Sequence, residues 1–156
     1  MKILDLLEEI KKKESFSKFL QLNPDAFLAA IFAVLDDSGK DTYQLDYFIP
    51  SKNKIAISSY PFEDITIQPD EIKEAKVLSS EQKIDITQLR DKVEEIKNEN
   101  ELNKIKITKI IAILKDDNWS LTCLSPTLDI IQIAIDKEGN TTKCKKAGLM
   151  DFVIKK

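Results

Sequence analysis

The chain has 156 residues, enough for one good hydrophobic core or for two small cores that support each other. Its composition, 42% hydrophobic and 33% charged, is typical of a globular protein and excludes a disordered chain. The 27 Asp and Glu residues outnumber 24 Lys and Arg, and Arg90 is the single Arg, so we expect no nucleic acid as a partner.

The residue types that most often carry catalysis or bind metals are scarce. Two cysteines, Cys123 and Cys144, have no His to accompany them, although a structural zinc site needs about four N or S ligands. No Asp, Glu, Lys, Tyr or Cys stands at a diagnostic catalytic spacing, and three Gly leave no Gly-rich phosphate loop. We therefore predict a protein that is not an enzyme, with no metal site and no cofactor.

The N-terminal residues 2–13 predict an amphipathic helix. Glu8 and Glu9 interrupt its apolar stretch, which differs from a secretory signal. The longest apolar run, residues 26–35, is short of the roughly 20 residues of a membrane span. We therefore expect a cytoplasmic protein with no membrane span. The apolar positions of the helix recur at helical spacing: Ile3, Leu6, Leu7 and Ile10.

A second short helix follows and ends before Pro24, because the residue before a proline avoids the helical region. The run AFLAAIFAVL at 26–35 is compatible with a buried helix or a buried strand, since periodicity cannot distinguish them in a continuous apolar run. A match elsewhere in the chain favours the strand.

Two parts of the chain resemble each other. The matching segment of the run, KIIAILKDD, is rich in β-branched residues, which favour strands. We therefore predict a strand at 26–35, with a helix through residue 35 as the alternative. Three segments correspond in order: AAIFAVLDD (29–37) with KIIAILKDD (109–117), TYQLDYFIP (42–50) with NWSLTCLSP (118–126), and KIAIS (54–58) with QIAID (132–136).

A helix also precedes the second set of strands, in IDITQLRDKVEEIKNENEL at 84–102, where Asp85 or Thr87 is suited to cap it. With fourth strands around 65–68 and 141–145, each half is predicted to be one helix lying on an antiparallel meander. The predicted fold class is α+β, a tandem duplication with units at 1–78 and 79–156. Pairing across the repeat, or a homodimer formed through sheet edges, would hide the free strand edges.

The C-terminal GLMDFVIKK is predicted to pack Leu149, Phe152 and Val153 against the body as a short helix, with a docking tail as the alternative. The second half also carries a family likeness. Its helix is followed by a strand that begins at Trp119, by the strand IQIAID (131–136) and by the turn KEGN (137–140). This pattern resembles the PepSY-type domain. The resemblance implies a cystatin-like helix-on-sheet fold and a non-catalytic role in binding or restraining another protein.

Two pairs of neighbouring carboxylates, Asp36-Asp37 and Asp116-Asp117, invite comparison with cation or proton sites. Both pairs stand at corresponding hairpin turns, where Asp is favoured because its side chain bonds to the local backbone. We interpret them as turn residues.

The candidate binding residues are mainly aromatic. Strand alternation puts Tyr43 and Tyr47 on one face and Phe48 on the other, while Trp119 and Cys123 share a face of the second meander. They either line the helix-covered core or form a pocket between helix and sheet. Phe48, which faces away from the helix, predicts either sheets that meet back to back or a bound partner.

These observations lead to one functional hypothesis and one alternative. The hypothesis is a non-enzymatic binding or scaffold module that recognises a protein or peptide. The alternative is a small-ligand carrier or sensor with its pocket around Tyr43, Tyr47 and Trp119.

Overall fold

The computed structural model describes residues 1–148. The C-terminal helix predicted around Leu149, Phe152 and Val153 lies outside this range. A 3-10 turn, Ile86–Gln88, leads directly into the third helix. The elements follow in the order α1 (Ile3–Lys11), α2 (Glu14–Leu22), β1 (Phe27–Asp36), β2 (Thr42–Ile49), β3 (Lys54–Ser59), β4 (Thr66–Glu71), α3 (Leu89–Glu99), β5 (Lys109–Lys115), β6 (Asn118–Leu124), β7 (Asp129–Ile135) and β8 (Thr141–Gly148).

All eight strands form one antiparallel sheet in the order β4-β3-β2-β1-β5-β6-β7-β8. The two halves of the sheet meet at β1 and β5, which pair from Ala30 with Lys115 to Asp36 with Lys109. Each of these strands would otherwise present a row of unpaired backbone groups. Their pairing removes both edges and joins the two meanders.

The predicted fold class is therefore wrong. We expected an α+β protein in which a helix-plus-meander unit, cystatin-like in architecture, occurs twice. The described chain is instead mostly β, with three short helices and one eight-stranded sheet. The two predicted units merge into one sheet because β1 pairs with β5, and the composition of single strands does not reveal this pairing. The antiparallel sheet itself is confirmed, as is the strand predicted at 26–35, while the domain boundary after residue 78 stays a prediction.

The three helices pack on one face of the sheet, which we call the covered face. Their buried apolar side chains, such as Leu6, Phe16 and Val93, belong to the same core cluster as inward residues of the strands. On the strands, buried residues alternate with partly exposed ones, as in β5, where Ile110, Ala112 and Leu114 are buried. Among residues 1–148, no helix has the length and apolar character needed to cross a membrane.

Side-chain and backbone hydrogen bonds hold the segment between β4 and α3 in place. Asp85 caps the turn that leads into α3, with its carboxylate accepting from the Ile86 N–H at 2.7 Å. The same carboxylate accepts from the Ile3 N–H at 3.0 Å, which ties the start of α1 to this turn. Leu78 donates its backbone N–H to the Leu28 carbonyl at 2.9 Å. These contacts fix the helices against the covered face.

Candidate functional site

The five residues predicted to form a pocket or binding surface are all buried, and the structure divides them between the two faces of the sheet. Tyr43, Tyr47, Trp119 and Cys123 belong to the core cluster on the covered face. Phe48 lies on the opposite face by strand alternation. The five residues therefore do not form one surface.

The two tyrosines make different contacts. The Tyr47 ring packs against Phe16 and Phe19 of α2, with centroid distances of 5.3 and 6.2 Å, and burial raises the pKa of its hydroxyl well above the usual value. The Tyr43 hydroxyl accepts a hydrogen bond from the Met1 amino group at 3.0 Å. Its pKa is also raised, first by burial and then by the Asp41 carboxylate. Both rings fill space between sheet and helices.

Trp119 and Cys123 also serve the core. The Trp119 indole donates its Nε1–H to the Ile84 carbonyl at 2.9 Å, which fixes the chain just before α3. Burial raises the pKa of the Cys123 thiol to about 12, so the thiol is protonated at neutral pH and is a poor nucleophile. The small-ligand pocket predicted around these side chains stays a prediction.

A cleft of about 210 Å³ lies between α3 and the ends of β1 and β5, away from the five residues. Its walls include Leu35, Asp37, Arg90 and Glu94. The Arg90 guanidinium donates to Asp41 Oδ1 at 2.9 Å, so it clamps the β1–β2 turn to α3. The guanidinium of Arg90, the single Arg in the chain, is therefore paired with Asp41 and stabilises the fold.

The paired carboxylates at the two turns differ in their bonds, which are local for Asp36 and reach the segment between β4 and α3 for Asp117. Asp36 Oδ1 accepts from the Ser38 N–H at 2.9 Å, and the bond from Ser38 lowers the pKa of the Asp36 carboxyl. Asp117 Oδ1 accepts from the Ser79 N–H at 2.9 Å and from the Gln82 side chain at 2.8 Å. Among residues 1–148, no group of three or more Asp, Glu, Cys or His side chains is placed to hold a metal ion.

The most distinctive surface is the other face of the sheet, which we call the open face. At its centre, Phe32 lies opposite Ile113 and Val34 lies opposite Ile111 across the β1–β5 pair. All four are half-buried, although their neighbours in the same strands are fully buried on the covered face. We define the open face by nine large half-buried apolar side chains: Phe27, Phe32, Val34, Ile55, Ile57, Ile111, Ile113, Leu124 and Ile130.

Polar and charged side chains surround this apolar centre. Thr42 and Gln44 lie opposite Val34 and Phe32 on the β2 side, and their counterparts on β6 are Thr122 and Ser120, opposite Ile111 and Ile113. At the edge of the sheet, Lys143 and Lys145 of β8 pair with Ala134 and Gln132. An apolar centre with a polar rim is the usual anatomy of a protein interface.

Two residues show that part of the open face is already shielded. The Phe48 ring packs against Phe27 at a centroid distance of 5.6 Å and is only 3% exposed, so its own chain covers it. Asp46 accepts a hydrogen bond from the Gln44 side chain at 2.8 Å, and burial raises the pKa of its carboxyl. A carboxyl in this position is costly to ionise.

The candidate residues inferred from the sequence did not include the centre of the open face. The signal was present in the run at 26–35 and in KIIAILK, where apolar residues occupy both odd and even positions. Such a strand has an apolar side chain on each face. Because the opposite face of β2 carries Gln44 and Asp46, strand alternation in β2 favours the tyrosines as binding residues instead.

Comparisons with known proteins add little to these observations. No family model matches the chain, and no curated protein matches it, so the resemblance to the PepSY-type domain stays a prediction. Among solved structures, the chain is similar to a "putative lipoprotein" from Clostridium difficile 630, with 10% identity and a TM-score of 0.48 over 86% of this chain and 91% of that chain. That score is too low to support an argument.

Proposed function

We propose that this protein is a non-enzymatic binding or scaffold module that recognises a protein or peptide through the open face. The observation that carries the proposal is the pair of cross-strand contacts at its centre, Phe32 with Ile113 and Val34 with Ile111. These four side chains are half-buried in a sheet whose other face is packed by helices. Contiguous apolar surface of this kind marks interaction sites on soluble proteins.

The shape of the surface favours a macromolecule over a small ligand. Small-molecule sites are concave and enclose most of their ligand. A sheet face presents a broad, gently twisted surface, which fits another sheet or a helix. The rim of Thr, Ser, Gln and Lys side chains supplies hydrogen-bond donors and acceptors around the apolar centre.

The proposal is tested by site-specific photo-crosslinking in the cells that naturally make the protein. A photoreactive phenylalanine analogue replaces Ile113 at the centre of the open face, and in a control it replaces Glu95 on α3, whose side chain is 56% exposed. We expect protein adducts from position 113 and few from position 95. If position 113 gives no protein adduct, or no more than position 95, the proposed function is wrong.

A further inference from the structure

On the open face, the half of the sheet formed by β5–β8 carries only positive charge. Strand alternation turns four lysines of these strands toward the open face: Lys109, Lys115, Lys143 and Lys145. The one carboxylate in the same four strands, Asp129, lies on the covered face, where it is 3.9 Å from Lys146. This half of the open face is therefore basic, although the whole chain has a net charge of −3.

Three of the four lysines have no carboxylate partner in the described part of the chain. Lys109 lies 3.7 Å from the Asp36 carboxylate on the neighbouring strand β1. Within residues 1–148, Lys115, Lys143 and Lys145 form no ion pair, and all three are exposed. Exposed charges of one sign favour a partner of the opposite sign and speed its association.

The apolar centre and the lysines of β8 are separated by a shallow trough. Two rows of paired residues cross β5–β8 on the open face: Ile113, Ser120, Ala134 and Lys143 in one row, and Ile111, Thr122, Gln132 and Lys145 in the other. Of the four residues on β6 and β7, three are Ser, Thr or Ala, whose side chains are short. The isoleucines of β5 therefore form one wall of the trough, the lysines of β8 form the other wall, and β6 and β7 form its floor.

The dimensions of the trough fit one α-helix. Three strand spacings separate β5 from β8, which is about 14 Å at about 4.8 Å per spacing. An α-helix with its side chains is about 10–12 Å across. The strands β6 and β7 have 7 residues each, about 23 Å at about 3.3 Å per residue, which is the length of about four helical turns.

The two walls of the trough also specify the chemistry of this helix. The wall at β5 continues into Phe32 and Val34 of β1, so it offers apolar contact. The wall at β8 offers positive charge. A helix that contacts both walls needs an apolar stripe on one side and Asp or Glu residues on the flank beside β8. Binding of an amphipathic helix in an apolar groove is a recurring mode of peptide recognition.

We propose that the trough binds an acidic amphipathic helix of another protein, with its apolar side against Ile111 and Ile113 and its carboxylates beside Lys143 and Lys145. This inference rests on the proposed function and names the chemistry of the partner. A second folded copy of this chain does not supply the helix from α1, α2 or α3, because their apolar sides are buried against the covered face.

The first experiment repeats the photo-crosslinking from position 113 and identifies the crosslinked segment of the partner by mass spectrometry. We expect a segment with net negative charge and with apolar residues at helical spacing over about 15 residues, the length of the trough. A neutral or basic segment, or one without helical spacing, would contradict the inference.

The second experiment changes the lysine wall in the same crosslinking assay. Lys143→Glu with Lys145→Glu should lower the yield of adduct about 10-fold, whereas Lys143→Arg with Lys145→Arg keeps the charge and should stay within about 2-fold of the parent. The matched control is Lys12→Glu with Lys18→Glu. It makes the same change in net charge on the helices, at side chains that are 67% and 70% exposed, and should leave the yield unchanged. Circular dichroism confirms that each variant is folded.

The remaining outcomes separate this inference from the proposed function. If Lys143→Glu with Lys145→Glu leaves the yield unchanged, the partner is not held by these lysines and the inference is wrong, although the adduct still supports the proposed function. Adducts only with lipid, with a second copy of this chain or with residues 149–156 of the same chain identify a different occupant and also overturn the inference. If position 113 gives no adduct, both proposals are wrong.

Discussion

The covered face and the open face of the sheet use alternate residues of the same strands, yet their surroundings differ. On the covered face, Ile131 is fully buried against the core, while its neighbour Ile130 on the open face is half-buried. The residue types are the same, and only the pleat separates them. Composition alone therefore does not tell which face carries stability and which face is available for binding.

The largest expected effect compares these two isoleucines directly. Ile131→Ala should lower the free energy of unfolding by about 2–5 kcal/mol, because it leaves a cavity in the packed core. Ile130→Ala removes the same atoms from a half-exposed site and should cost about 1 kcal/mol. Urea unfolding of both variants, at a concentration where the protein is monomeric, gives the difference. Equal losses would show that the open face is packed as tightly as the covered one.

A smaller effect is expected from the hydrogen bond that joins the covered face to the chain before α3. Trp119→Phe keeps most of the ring but leaves the Ile84 carbonyl without its indole donor, which should cost about 1–3 kcal/mol. The matched variant Ser120→Ala changes the next residue, on the open face, and should stay within about 0.5 kcal/mol of the parent. Thermal unfolding of both variants measures the difference. A larger loss of stability for Ser120→Ala than for Trp119→Phe would contradict this prediction.

The smallest effect concerns the carboxyl on the open face. Because burial raises the pKa of Asp46 in the folded state, the folded protein holds this proton more tightly than the unfolded chain. Stability from this group is therefore present below the ordinary Asp pKa near 4 and is lost as the pH rises through the raised value. Asp46→Asn should stabilise the protein by less than about 1 kcal/mol at neutral pH.

The control for Asp46→Asn is the same comparison with the parent protein at acidic pH. At about pH 3 or below the carboxyl is largely protonated in both states, so Asp46→Asn and the parent should have nearly the same urea midpoint. Asp41→Asn should behave in the opposite way. Although burial alone would raise the pKa of Asp41, the hydrogen bond from Arg90 lowers it, so that variant should lose stability at neutral pH. An advantage of Asp46→Asn that persists in acid would have another cause.

Local features of the fold could be predicted from the sequence. Asp85 was one of two candidate caps because a short acceptor side chain before an amphipathic stretch satisfies free N–H groups, and its carboxylate does so. The placement of Tyr43 and Tyr47 on one face and Phe48 on the other followed from strict alternation in β2, and the ring contacts agree with it. These features depend on neighbours within a few residues.

The arrangement of the sheet could not be predicted in the same way. The pairing of β1 with β5 depends on which free edges meet, and each edge offers the same row of backbone groups to any strand. The open face was missed for a related reason. Phe32 and Val34 lie in a run that is apolar at every position, so periodicity gave no direction for their side chains.

The pairing of β1 with β5 also has a consequence during translation. The ribosome completes β1 at residue 36 and makes β5 only at residues 109–115. At about 5–20 residues per second, this interval lasts from a few seconds to well over ten. Throughout it, the nascent chain carries an apolar, β-prone segment with no strand along one side, and such segments invite aggregation. We therefore expect chaperones to bind the nascent chain mainly in the interval between the synthesis of β1 and that of β5.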